Sequence, residues 1–196
     1  MDKLYNGLPL FEITIDEDGE LQNISIVDEP AIEMNFLAFS KEEEVRLSVD
    51  DEKHIVSGPA LIPDMPIYRR DERGRGYYIT FSKQAIEDIA IRFFEDHNNT
   101  NGNLMHQVDV DGVTYFESYI VNRDRGIVPV EFEDVPNGTW MVSAKIHNEE
   151  VWNLIKNGTL RGFSISGNLT FTRAKEDKEI DSIEDLLSYL KNNNKQ

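Results

Sequence analysis

The sequence predicts a β-rich α+β fold, a β-barrel or strongly curved sheet with two or three helices packed outside it. Three observations carry this expectation. Short apolar or alternating runs recur along the chain, each bounded by Gly, Pro, Asn or Asp. Only three stretches carry apolar residues at helical spacing. The chain has 196 residues, of which 39% are hydrophobic, enough for one packed core.

The first two strands read as a hairpin, LFEITI and ELQNISIV, turning at Asp16 to Gly19. Pro30 then breaks the pattern, and residues 41–53, KEEEVRLSVDDEK, are charged enough to be a linker. HIVSGPALI and YYITF read as strands. Ser82 caps a helix whose apolar stripe is Ala85, Ile86, Ile89, Ala90, Phe93 and Phe94, ending near His97. LMHQVDV and VTYFESYIV flank Asp111-Gly112, a strong signal for a two-residue hairpin turn. VPVEF and TWMVSAKI read as a further strand pair around Pro136-Asn137-Gly138. Asn148 caps a short helix, EEVWNLIKN, which Gly158 stops. TLRGFSISGNLTFT reads as one strand. Ser182 and Asp185 form a capping box for a last helix, followed by a polar tail. The expected organisation is therefore an N-terminal hairpin segment over 1–40, a linker over 41–53, a main domain over 54–173 and a charged, helical tail over 174–196.

Composition excludes several functions. With 20 basic and 37 acidic residues the formal charge is -17, the wrong sign for a phosphate-binding surface, so no nucleic-acid partner is expected. RRDERGRG, over residues 69–76, holds its own acids and glycines and reads as a solvated loop. No apolar run approaches the roughly 20 residues of a membrane span, and MDKLYNGLPLFEI is unlike a secretory signal. The absence of cysteine removes thiol catalysis and thiolate-bound zinc.

Imidazole chemistry must use His54, His97, His106 or His147. With Asp111 and Gly112 as the two loop residues, the hairpin register sets His106 opposite Glu117. Opposed residues lie about 4.5–5.5 Å apart at Cβ, close enough for a carboxylate to hold one ring nitrogen and leave the other free as a base. A slip of one residue sets Phe116 there instead, and a His–Glu pair on a hairpin is equally an ordinary surface pair. Ser164 and Ser166, in LRGFSISGN, share one face of a strand and are flanked by Gly162 and Gly167. Glycines beside a serine let a substrate backbone approach, and nearby backbone N–H groups can hold an oxyanion. The same pattern also describes a strand with two solvent-facing serines.

LRGFSISG resembles the phage prohead proteases, relatives of the herpesvirus assemblins. HNEEVWNLIKNGTLRGFSISG is similar to that family's helix, turn and G-x-S strand, LMHQ with FESYIV to its histidine region, and SIVDEPAIEMNFLAF to its N-terminal segment. The resemblance spans most of residues 24–171. It implies an assemblin-like antiparallel β-barrel ringed by helices, often dimeric, and a serine endopeptidase needing no metal or cofactor. The implied partners are the scaffold and major capsid proteins, cleaved inside the prohead in the host cytoplasm, often along with the protease itself. The family's serine falls on Ser164 and its histidine on His106. Assemblins place a second histidine after the serine, and here none follows residue 147. Glu117 is the expected third member and Asp109 the fallback. Ile165, Ser166 and Arg161 are the expected groups around the oxyanion. The charged stretches 41–53 and 174–181 are expected sites of self-cleavage.

Three other readings stay open from sequence. One is a catalytically silent assembly protein of the same fold, with Ser164 and His106 apart. Another is a metal-dependent hydrolase on His97, His106, Asp109 and Asp111, whose spacing matches no standard ligand motif. The third is a binding β-domain of a virion.

Overall fold

The computed structural model describes residues 3–16, 19–28, 47–71 and 73–174. The expected terminal helix, the segment after Pro30 and residues 41–46 of the charged linker lie outside these residues.

The strands are β1 (Leu4–Tyr5), β2 (Leu8–Thr14), β3 (Glu20–Val27), β4 (Ser48–Asp50), β5 (Ile55–Leu61), β6 (Ile67–Arg70) and β7 (Gly76–Phe81). Helix α1 (Lys83–Glu95) follows, then β8 (Gly102–Leu104), β9 (Val108–Val110), β10 (Val113–Ile120) and β11 (Trp140–Ile146). Helix α2 (Glu149–Lys156), β12 (Gly162–Asn168) and β13 (Thr170–Arg173) complete the described chain. Both helices start where a side chain satisfies their free N–H groups: Ser82 accepts from Ala85 N, and Asn148 from Glu150 N and Val151 N.

The strands form three separate sheets, and the expected closed or strongly curved antiparallel barrel is not observed. One sheet runs β1-β2-β7-β6, with β13 also on β2; the second runs β10-β11-β5-β4; the third runs β12-β3-β8-β9. β2 and β3, expected to pair with each other, go to different sheets. Each finds a parallel neighbour far along the chain, β2 with β7 and β3 with β8. Parallel pairing needs a long crossover, which short-range turn signals do not encode. VPVEF is not a strand either: Pro129 starts a 3-10 turn over Val130–Phe132.

The Asp111-Gly112 turn also fails to fold β10 back on β9. Gly112 has φ +80°, its carbonyl accepts the His147 N–H at 2.6 Å, and Asn148 Nδ2 donates to Asp111 O at 3.4 Å. Pinned to the start of α2, the chain crosses here from the third sheet to the second. β9 pairs with β8, and β10 pairs with β11. Gly102 permits the crossing, because a Cβ there would meet Val110 O and Val113 Cβ, each at 2.7 Å.

One aromatic chain fixes the strand that carries the serines. Phe93 of α1 meets Tyr115 and Trp140 edge-on, each with centroids 5.7 Å apart, and Tyr115 meets Phe163 at 6.0 Å. All four are buried. The Tyr115 hydroxyl donates to Ile24 O at 2.7 Å, tying this cluster to β3, and burial pushes its pKa far up. Phe163 therefore anchors β12 by its apolar face and turns Ser164 to the opposite one. Phe163→Ala should cost about 3–5 kcal/mol, as core aromatic truncations do, read by urea unfolding. A loss under ~1 kcal/mol would mean that β12 is not held by this contact.

Candidate functional site

In the third sheet the register aligns one residue from each strand. Ser164 of β12 faces Ser25 of β3, Ser25 faces Asn103 of β8, and Asn103 faces Asp109 of β9. The flanking rows, Phe163 with Ile26 and Ile165 with Ile24, turn to the core by the period-2 alternation of strands, and Ile24, Ile26 and Phe163 are buried. Two residues along the polar face, Ser166 faces Asn23.

His106 reaches this row from a turn, not from a strand. β8 and β9 are joined by Met105, His106 and Gln107, and the Gln107 N–H bonds Leu104 O at 3.0 Å. Met105 and His106 have φ +57° and +56°, the signature of a type I′ turn built without glycine. Left-handed backbone at non-glycine residues costs on the order of 1–3 kcal/mol each and persists only where the surroundings hold it. Here the Met105 N–H bonds Ile26 O at 3.2 Å, and Asp28 N–H meets Met105 Sδ at 3.3 Å. The turn folds the imidazole over the sheet, where its two nitrogens contact two serines. Nε2 lies 2.9 Å from Ser164 Oγ, and Nδ1 lies 2.9 Å from Ser25 Oγ.

The rest of the row continues behind Ser25. Its hydroxyl lies 2.9 Å from Asn103 Oδ1 and 3.0 Å from Asn23 Oδ1. Asn103 Nδ2 donates to Asp109 Oδ1 at 2.8 Å, and Ser166 Oγ donates to Asn23 Oδ1 at 2.8 Å. Ser25, Asn103 and Ser164 are buried, whereas His106 and Asp109 keep exposed surface. Partial burial lowers the His106 pKa, and the nearby Arg69 guanidinium lowers it further. The ring is thus kept neutral, able to accept a proton from Ser164.

Of the sequence-derived site residues, the structure joins Ser164 and His106 directly. It does not place Glu117 with them. β10 pairs with β11, which sets Glu117 opposite Ser143 in the second sheet, and Ser25 occupies the far side of the imidazole. Asp109 belongs to the network two residues removed from His106, through Asn103 and Ser25. Ser166 is held by Asn23, and Ile165 alternates to the core side. The Arg161 Nε–H donates to Asp28 O at 2.9 Å, and its backbone N–H to Val27 O at 2.8 Å, joining the start of β12 to the end of β3. Of the proposed metal-binding set, His97 turns back to Glu95 O at 2.8 Å, and no group of three or more ligand side chains is arranged for a metal among the described residues.

Sequence reasoning missed Ser25, Asn103, Asn23 and Arg69. Arg69 is not in a solvated loop: β6 extends through Arg70, and only the segment up to Gly76 turns, held by Asp71 on Arg75 at 2.7 Å.

YqbD, an uncharacterized protein of Bacillus subtilis (strain 168), is 26% identical over 171 residues, covering 83% of this chain and 48% of its own length. The chain thus spans about half the length of that relative. No solved structure matches it. A family model matches residues 42–172, two thirds of the chain, which holds both His106 and Ser164. The chain belongs to the family described as "Putative phage serine protease XkdF".

Proposed function

We propose that the protein is a serine endopeptidase of phage capsid maturation, with Ser164 as nucleophile and His106 as general base. The observation that carries this is the 2.9 Å contact between His106 Nε2 and Ser164 Oγ, made by a ring that is held from behind by Ser25. His106 takes the Ser164 proton as the oxygen attacks the scissile carbonyl, then gives it to the leaving amine; water releases the acyl group by the reverse sequence. Ser25 takes the place that a carboxylate or second imidazole fills in other triads. Backbone N–H groups around Ser164 to Ser166 are the proposed oxyanion donors. The proposed substrates are the scaffold and major capsid proteins inside the prohead, in the host cytoplasm, and this chain itself within 41–53 or 174–181.

The test needs no knowledge of the substrate. A fluorophosphonate should phosphonylate Ser164: an O–P bond forms, fluoride leaves, and His106 takes the proton. Labelling should rise with pH through an apparent pKa below the usual 6.5, because burial and Arg69 both disfavour the imidazolium. Arg69→Gln removes one positive charge and should move that limb to higher pH. Labelling elsewhere than Ser164, or none, would refute the assignment.

A further inference from the structure

We propose that Asp109, at the exposed end of the polar row, is a positioning residue that dictates which nitrogen of His106 carries the proton. The catalytic consequence rests on the protease reading above; the tautomer itself does not. A carboxylate accepts only, so Asp109 requires the Asn103 amide nitrogen on its side, at 2.8 Å. That leaves Asn103 Oδ1, also an acceptor only, facing Ser25 Oγ at 2.9 Å. Ser25 has one hydroxyl hydrogen. Its other amide neighbour, Asn23 Oδ1 at 3.0 Å, is again an acceptor. Given to His106 Nδ1 instead, that hydrogen would leave the buried Asn103 Oδ1 without its Ser25 donor; held on an amide oxygen, it is not available to Nδ1, 2.9 Å away. Nδ1 must therefore be the donor to Ser25 Oγ. Nε2 is then bare, and at 2.9 Å it can accept the Ser164 hydroxyl hydrogen.

The row is thus a one-way chain of donors: Ser164 to His106, His106 to Ser25, Ser25 to Asn103, and Asn103 to Asp109. Reversing the last link reverses the pressure on every other. In Asp109→Asn the new amide can donate as well as accept. The Asn103 amide is then free to turn and offer its nitrogen to Ser25. Ser25 can now give its hydrogen to Nδ1, and the imidazole proton moves to Nε2, where it faces Ser164 as a competing donor.

The experiment is 15N NMR of the His106 ring at a pH where it is neutral, with fluorophosphonate labelling of Ser164 run alongside. The native chain should show Nδ1–H alone. Asp109→Asn should show a substantial Nε2–H population and label about tenfold more slowly, the scale of one weakened charge-assisted hydrogen bond. Combining Asp109→Asn with Asn103→Asp again sets an acceptor-only group against Ser25 and should restore both readouts, which a merely structural role for Asp109 would not do. An Nε2–H native ring, or an Asp109→Asn spectrum like the native one, would overturn the proposal. If the tautomer moves as expected while no form of the chain labels or cleaves, the protease reading fails and this inference stands.

Discussion

Ser164→Ala, co-expressed with the scaffold and capsid proteins proposed as its substrates, should leave every product at full length where the native chain yields shortened ones, read by intact mass. The loss should be roughly 10⁶-fold in turnover, as when the nucleophile of a serine–histidine pair is removed. Stability should change little. The serine is buried on the polar face of β12, while the strand is held by its opposite face through Phe163. Alanine removes one oxygen and one hydrogen bond, worth ~1 kcal/mol, so the thermal midpoint should stay within a few degrees of the native value. Ser166 is not expected to substitute. It lies on the same face two residues on, but its hydroxyl is bound to Asn23 Oδ1 at 2.8 Å, and the imidazole of His106 is on Ser164. Unchanged products with Ser164→Ala would shift the assignment to Ser166 or to another protease in the mixture. If the native chain also cleaves nothing, the silent assembly role becomes the better account.

What the sequence disclosed, and what it hid, divides by the range of the interactions. Local signals worked. Ser82 and Asn148 cap the two described helices as their side chains suggest, and the alternation in GFSIS sets Ser164 and Ser166 on the face opposite Phe163. The failure at Glu117 was a failure of register. Asp111-Gly112 has the residues of a tight hairpin, but its carbonyls are engaged by His147 and Asn148, so the chain leaves the sheet there. The turn that matters, at Met105-His106, carries no glycine or asparagine signal and so read as strand. Ser25 and Asn103 are adjacent only through the parallel pairing of β3 with β8, which joins residues 78 apart in sequence. Nothing within a short window marks either residue as part of a site. Arg69 was hidden differently. Its neighbours in RRDERGRG are mostly charged, and composition suggested solvent, whereas β6 brings its charge close enough to act on His106.

His106→Asn should silence the protein as completely as Ser164→Ala, and combining the two should cost nothing more. Asparagine suits this position because it tolerates the left-handed backbone of φ +56° better than most residues. The turn and the row beneath it should survive, with circular dichroism and melting close to native. What disappears is the base. Asparagine has no titrating nitrogen, so Ser164 would have to lose its proton to water, at a serine pKa far above working pH. The expected loss is on the order of 10⁶-fold, because a nucleophile without its base is no better than the base without its nucleophile. If Ser164 and His106 act as one unit, the Ser164→Ala and His106→Asn effects will not add, and the double variant will match either single one. Independent roles would instead give a double variant weaker than both by the product of their losses. Labelling by fluorophosphonate reads the His106→Asn loss without a substrate, while the Ser164→Ala forms carry no oxygen to label. Residual labelling of His106→Asn that rises steadily with pH, with no plateau, would show hydroxide replacing the imidazole as the base for Ser164.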